Sequence, residues 1–359
     1  SPSCPELAAV YFGAMRAGLI LVPLDLRMAP DAIRRIADRS EARQLVIGTG
    51  RAAPNPAEAD LDHLPTTTMD DLCGEPGAGF PAAWEAEVRA WARPAPEDVY
   101  LLIYTSGTTG TPKGVILTHG NTVAGVDGFH LLVPDIEYRI VSLLPMSHLF
   151  EQAIGLYLTL DLGADILYVR SLNPRVLLPA IREHRMTAMI VVPQVLDLVW
   201  SSIEREVEKQ GRAVAFARAR ALARRLPIGL RRHLPPFRRI HAQFGGELRL
   251  FVSAGAFLPP SVQQAWEDLG VVIMQGYGAT ETGSGAIMQI EPYPKSAPRA
   301  CPLKPLPCMA RQDSGRVRRA RPTRSARFSV GSASFSLASR IGLAGSAAPG
   351  RTGRKSGLW

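Results

Sequence analysis

Seven short apolar runs, most of them separated by segments of helical character, constrain this chain more than any other feature. They fall at residues 99–104, 113–117, 139–144, 164–169, 187–192, 247–252 and 271–275 and read as strands. After Pro193, Val195, Val199, Ile203 and Val207 stand four apart and give one apolar stripe, the mark of a helix with a buried face. Strands alternating with helices imply a mostly parallel sheet covered by helices, so the expected fold class is α/β.

The first residues repeat the theme. Glu6 to Met15 reads as an Ala-rich helix ended by Arg16-Ala17-Gly18, and Leu19 to Val22 as a short buried strand stopped by Pro23. Asp31 is the expected N-cap of a helix to about Ser40, and Gln44 to Ile47 the next strand. Residues 49–97, rich in Pro, Ala, Gly and acid, read as a connector with weak structure. The 359 residues allow two to three domains. The expected division is a first α/β portion at 1–97 with its connector, a second at 98–290, and a tail at 291–359. Opening directly on a core helix points to missing upstream residues.

Charge is unevenly placed. The chain carries 41 Lys and Arg against 32 Asp and Glu, a net of +9. Residues 291–359 hold 14 of those bases against only Glu291 and Asp313, which leaves a mildly acidic body. The tail is mostly Ala, Arg, Ser, Gly and Pro without apolar periodicity, so it cannot offset its ordering entropy and is expected to be disordered. A basic nucleic-acid-binding arm is the alternative, but aromatics are nearly absent and no recognition motif occurs, so no specific nucleic acid is expected. Abrupt enrichment in residues with GC-rich codons fits a reading-frame slip.

Residues 212–239 contain nine Arg and no acid. They read as the solvated faces of two short helices, or as a patch attracted to anionic lipid or a phosphorylated cosubstrate. No apolar run is long enough to span a membrane, and no signal peptide is visible; a cytoplasmic protein is expected, with a place at the membrane periphery as the alternative. Cys4, Cys73, Cys301 and Cys308 are sparse and lack His at metal-ligand spacing, which favours reduced thiols over a disulfide scaffold or zinc site.

The chemistry is concentrated in Thr105-Ser106-Gly107-Thr108-Thr109-Gly110-Thr111-Pro112-Lys113-Gly114, held between two strands. Gly107 and Gly110 allow tight turns that expose consecutive N–H groups. The hydroxyls of Thr105, Ser106, Thr108 and Thr109 add donors, and Lys113 adds positive charge. This inventory suits a polyphosphate. It is not a Walker A loop: Lys113 stands three residues after Gly110, Gly114 replaces the required Ser or Thr, and a strand follows.

This run resembles the phosphate-binding signature of the adenylate-forming superfamily, which includes acyl-CoA synthetases, luciferase-like enzymes and peptide-synthetase adenylation domains. Three further segments agree. Leu144-Pro145-Met146-Ser147-His148-Leu149-Phe150-Glu151 is similar to the family segment beside the acyl and thiol channel, which places His148 there. Ser253-Ala254-Gly255-Ala256 matches the adenine-binding strand end, with Gly255 and Ala256 against the ring. Gln275-Gly276-Tyr277-Gly278-Ala279-Thr280-Glu281-Thr282 completes the AMP site. Its glycines are expected to permit a sharp turn and Tyr277 to stack on adenine. The resemblance also implies that Thr280 binds the α-phosphate and that Glu281, with Thr105, holds Mg²⁺. It covers about residues 3–290, and Val22-Pro23-Leu24-Asp25 also fits an early family segment. His241 to Arg249, with the Arg-rich insert before it, points to long-chain fatty acyl-CoA synthetases.

The implied reaction uses ATP to turn a fatty acid into acyl-AMP and pyrophosphate; a thiol, that of CoA, then displaces AMP. The implied fold is the large N-terminal domain of the superfamily, built of stacked, mostly parallel α/β subdomains. After residue 290 no Thr-Gly-Asp segment, hinge or late Gly-Lys element is found, so the small C-terminal domain is expected to be absent and turnover impaired. A nucleotide- or acyl-binding module without turnover, or a damaged-gene product, is the alternative.

Overall fold

The computed structural model describes residues 3–25, 27–48, 56–73, 82–105, 112–134, 136–169 and 171–283, with short strands at 287–289, 301–302 and 341–342. The chain opens with α1 (Pro5–Arg16), α2 (Pro30–Arg39), β1 (Leu45–Ile47), β2 (Thr66–Thr68), α3 (Met69–Cys73) and α4 (Ala82–Ala90). The hairpin β3 (Val99–Thr105) and β4 (Lys113–Thr118) follows, then α5 (His119–His130) and β5 (Arg139–Ser142). A π-helical segment, Glu151–Leu158, runs into α6 (Thr159–Asp161) and β6 (Asp165–Tyr168). Next come α7 (Pro174–Glu183), β7 (Ala188–Val191), α8 (Pro193–Lys209), α9 (Ala213–Ala223), α10 (Ile228–Arg231) and α11 (Pro235–Gln243). The last elements are β8 (Leu250–Ser253), α12 (Pro260–Asp268), β9 (Val272–Tyr277), β10 (Ile287–Gln289), β11 (Cys301–Pro302) and β12 (Ile341–Gly342).

One sheet dominates, in the order β11-β10-β9-β8-β7-β5-β6-β12. From β9 to β12 every pairing is parallel. β10 runs antiparallel to β9, and β11 to β10. Alternation along the central strands divides the core. Ile140, Ile166, Ala188, Ile190, Leu250, Val252 and Met274 share one cluster with Tyr100, Leu101, Ile103, Val115 and Leu117 of the β3–β4 hairpin. Their neighbours Val141, Leu167, Met189, Val191, Phe251 and Ile273 pack in a second cluster with residues of α7, α8, α9, α11 and α12. Both faces are therefore covered, which is why these strands read as continuous apolar runs.

Four local expectations are corrected. Leu19 to Val22 is not a buried strand. Leu19 and Ile20 are exposed, and only Leu21 bridges to Leu101, through two backbone hydrogen bonds at the flank of β3. Asp31 is not the N-cap of α2. Ala29 takes that position, Pro30 begins the helix, and Asp31 joins the first turn to pair with Arg35.

The connector at 49–97 carries more structure than its composition suggested. β2 pairs in parallel with β1, and Arg16 caps the chain at the end of α4 by donating to the carbonyls of Val88, Trp91 and Ala92. Finally, the Arg-rich segment folds as three helices, not two. Arg220 and Arg224 both reach the fully buried carboxylate of Asp268, and Arg231 and Arg232 donate to backbone carbonyls.

Candidate active site

In open α/β sheets, ligands bind beyond the carboxyl ends of the strands. The segments that follow β8 and β9 lie there. Ser253 ends β8 opposite Val191 of β7 and Gln275 of β9. Ala254, Gly255 and Ala256 follow at once, with Gly255 in the left-handed region at φ +84° that favours glycine. Tyr277 closes β9 and is 70% exposed, and Thr280–Thr282 forms a single 3₁₀ turn.

Neither Gly276 nor Gly278 has positive φ, so the turn asks for no left-handed residue at either place. A Cβ on Gly276 would meet that of Ala254 at 3.6 Å, an ordinary contact. The turn is instead closed by Thr282, whose hydroxyl accepts from the Ala279 N–H at 3.0 Å and donates to the Ala279 carbonyl at 2.8 Å. Thr280, half-buried, takes no part in those bonds, and Ala279 and Glu281 are exposed.

The β3–β4 register pairs Thr105 directly with Lys113 and Tyr104 with Gly114. Gly114 has a packing reason here: a Cβ would press on Leu102 and on the Tyr104 ring, which crosses it. The hairpin thus brings Thr105 and exposed Lys113 together at the two stems of the Gly/Thr run. Ser106, Gly107, Thr108, Thr109 and Gly110 themselves lie outside the described residues. Among the described residues, no hydrogen bond or ion pair joins Thr105 or Lys113 to Thr280 or Glu281.

His148 meets a partner that sequence reasoning did not assign. Its Nε2 lies 3.3 Å from Oδ2 of Asp25 and 3.4 Å from Nη2 of Arg27. The Arg27 hydrogen bond, with smaller help from the His148 charge, lowers the Asp25 carboxyl to a pKa of about 2 despite partial burial. The only sequence signal was that Asp25 ends a segment shared with the family.

Glu151 is the second unassigned residue. It is buried on the π-helical segment, and the Ser142 hydroxyl donates to its Oε1 at 2.5 Å. Burial pushes its carboxyl up to about 8, against the opposing pull of Ser142. Its signal was a pair of polar residues, Glu151 and Gln152, inside an apolar run.

The donor set fits a metal carried by a nucleotide better than one caged by protein. Mg²⁺ is commonly held by one or two protein oxygens plus substrate phosphates. Glu281 offers an exposed carboxylate with no ion pair among the described residues, and Thr105 offers a hydroxyl. No group of three His, Cys, Asp or Glu among the described residues could hold a metal alone. Nor is any described helix long and apolar enough to cross a membrane.

Comparison with known proteins places the chain in a family. The chain is 32% identical to the peroxisomal long chain acyl-CoA synthetase 6 of Arabidopsis thaliana, over 77% of this chain and 43% of that protein. It is 27% identical to the long-chain-fatty-acid–CoA ligase FadD15 of Mycobacterium bovis, over 78% of this chain and 50% of that protein. The chain thus spans about half the length of these relatives. Among solved structures, O-succinylbenzoate coenzyme A synthetase of Bacillus subtilis, in complex with ATP and magnesium ion, superposes with a TM-score of 0.59 at 19% identity. That match covers 80% of this chain and 50% of the other. The N-terminal domain of FACL13 from Mycobacterium tuberculosis gives 0.54 at 19% identity, covering 80% and 63%. Residues 1–310 match the AMP-binding enzyme family, twenty residues beyond the boundary drawn from the motifs. The chain belongs to that family, the adenylate-forming superfamily, and resembles its long-chain acyl-CoA synthetases.

Proposed function

We propose that the chain binds Mg·ATP and a long-chain fatty acid, and that the protein activates the acid as acyl-AMP before transfer to CoA. The observation that carries this is the hairpin register. Thr105 and Lys113 stand opposite each other where the Gly/Thr run leaves and rejoins the strands.

The first half-reaction brings a carboxylate to the α-phosphorus of ATP, so two anions must approach. Catalysis then rests on alignment and charge neutralisation. In this reading Lys113 and the donors of residues 105–110 grip the β- and γ-phosphates, and Thr280 donates to the α-phosphate. Gly255, Ala256 and Gln275 to Ala279 frame the base, with Tyr277 stacked on it. Glu281 and Thr105 would hold Mg²⁺, which would supply positive charge against the pyrophosphate. His148 lines the channel for the acyl chain and the thiol. The protein acts in the cytoplasm. Exposed Val214, Arg218 and Leu222, four apart along α9, with exposed Arg225 just beyond its end, form an outward face suited to anionic lipid. Residues 311–359, beyond the family match, are read as a shifted-frame segment.

The test is pyrophosphate–ATP exchange on the full chain with palmitate, acetate or no acid. Exchange that requires palmitate supports activation, and binding of Mg·ATP without exchange supports a second reading, a nucleotide-binding module without turnover. Loss of both binding and exchange in a folded sample overturns both.

A further inference from the structure

We infer that Phe257 supplies a second aromatic wall of the base-binding slot, so that a purine lodges between its ring and that of Tyr277. This deepens the proposed AMP site and rests on it. Three Phe, Tyr or Trp side chains among the described residues are exposed, and two of them, Phe257 and Tyr277, stand at the carboxyl ends of the neighbouring strands β8 and β9. They are 77% and 70% exposed, against 40% for Trp91, the third. The aromatic pairs of the described residues all lie elsewhere, so neither ring is covered by another.

A large apolar ring left in water forfeits the gain of burial. A slack loop would explain such exposure, but the chain around Phe257 is held. Gly255 turns it at φ +84° just after Ala254, which is buried beside Gly276. Leu258 is buried in the second core cluster, and Pro259 and Pro260 open α12 directly behind it. A residue before proline is pressed into extended backbone, where successive side chains point to opposite sides. With Leu258 turned into the core, Phe257 is turned out of it. The fold itself therefore imposes the exposure, at the ligand end of the sheet.

The two rings are placed to share one ligand. Ser253 pairs with Gln275, and a Cβ at 276 would stand 3.6 Å from that of Ala254, so the two strands leave the sheet side by side. Neighbouring strands run about 4.8 Å apart. Tyr277 comes directly after Gly276, and Phe257 follows Ala254 across the bend at Gly255 and Ala256. Between the rings stand only Ala254, Gly255, Ala256 and Gly276, none with more than a methyl side chain. A flat aromatic ligand offers a face to each wall. A flexible acyl chain would gain as much from leucine at 257 as from phenylalanine, and that difference separates the two ligands.

The experiment uses the full chain and AMP, with pyrophosphate as the ligand that lacks a base. Phe257→Trp adds an emitter at the wall. Its emission, taken as the difference from the unsubstituted chain, is expected to be quenched by AMP and unchanged by pyrophosphate. By calorimetry, Phe257→Ala is expected to weaken AMP about tenfold, and Phe257→Leu nearly as much, with pyrophosphate affinity and the thermal melt unchanged. Unaltered AMP affinity in Phe257→Ala, or an added tryptophan that AMP does not quench, overturns the inference. Full affinity in Phe257→Leu also overturns it, since the ligand would then ask only for apolar cover. If Tyr277→Ala weakens AMP while Phe257→Ala does not, the base site stands with a single wall and the inference falls alone. If AMP binds and neither substitution matters, the base lies elsewhere and the proposed site falls with the inference. A folded parent that binds no AMP defeats the proposed function itself.

Discussion

Gly155 leaves the space that the carboxyl of Glu151 occupies: a Cβ built at position 155 would overlap that group. Both lie on the π-helical segment, whose residues are all buried. Gly155→Ala should therefore act as overpacking and cost about 1–3 kcal/mol. In a Glu151→Ala background the same change should cost far less, since the obstruction has gone. Urea unfolding of the two single variants and the double variant measures the difference; equal costs in both backgrounds would show that the clash is relieved elsewhere.

Glu151 also makes stability depend on pH. Burial raises its carboxyl from 4.5 to about 8, so the folded state holds a proton that the unfolded state releases. This contribution is fully present below pH 4.5, declines as pH rises toward 8, and is flat above that. The slope for one such group is at most ~1.4 kcal/mol per pH unit. Glu151→Gln, neutral at every pH, should remove it. Urea midpoints of both proteins between pH 5 and 9 should converge at the acid end and separate upward; parallel curves would place the carboxyl in a wetter site than the structure does.

The Asp268 clamp predicts an asymmetry. Asp268 is fully buried, whereas the side chains of Arg220 and Arg224 are 21% and 50% exposed. Asp268→Asn leaves two cations that reach water and an amide that still accepts hydrogen bonds, at a cost of about 1–3 kcal/mol. Replacing both arginines by Met leaves a buried carboxylate with no ion partner among the described residues, at about 3–5 kcal/mol. Arg220 also stacks over the Trp200 ring at 4.9 Å, which adds to that side. Thermal melts should rank the double variant below Asp268→Asn, and the reverse order would refute the clamp.

The sheet was legible because burial on both faces imposes long apolar runs, and every expected strand from Val99 onward is present with its ends displaced by a few residues at most. The hairpin was legible from its apolar residues, of which Val115 and Leu117 alternate into the core along β4. At Leu19 and Ile20 the inference failed: apolar residues there remain exposed, and composition does not say which apolar run finds a partner strand. The meeting of Asp25 with His148 depends on tertiary folding, to which local spacing is blind. The glycine at 276 was recognised, but for the wrong physical reason, since its backbone is not left-handed.

Lys113 and Thr280 should contribute unequally to nucleotide affinity. A charged donor to phosphate is worth about 1.5–3 kcal/mol and a neutral hydroxyl about 0.5–1.5. Lys113→Ala should thus weaken Mg·ATP about ten- to a hundredfold, and Thr280→Ala about two- to tenfold. Raising salt should narrow the first gap more than the second, because exposed charge is screened. Calorimetric titration at two ionic strengths checks both. Thr282→Ala differs in kind: it opens the turn that carries Thr280 and Glu281, and so should weaken binding without touching phosphate.

Gly276 gives the sharpest separation of fold from ligand. Since a Cβ there would meet Ala254 at only 3.6 Å and the backbone is not left-handed, Gly276→Ala should leave the melt nearly unchanged. Gly255→Ala should not, because φ +84° strains any residue with a Cβ and costs on the order of 1 kcal/mol. If a flat adenine lies against the strand ends at Ala254 and Gly276, the added methyl at 276 occupies its path. Affinity for AMP should fall about tenfold or more in a protein as stable as its parent, whereas affinity for pyrophosphate should not change if the hairpin holds it. Unchanged AMP affinity in Gly276→Ala would move the base away from these strands.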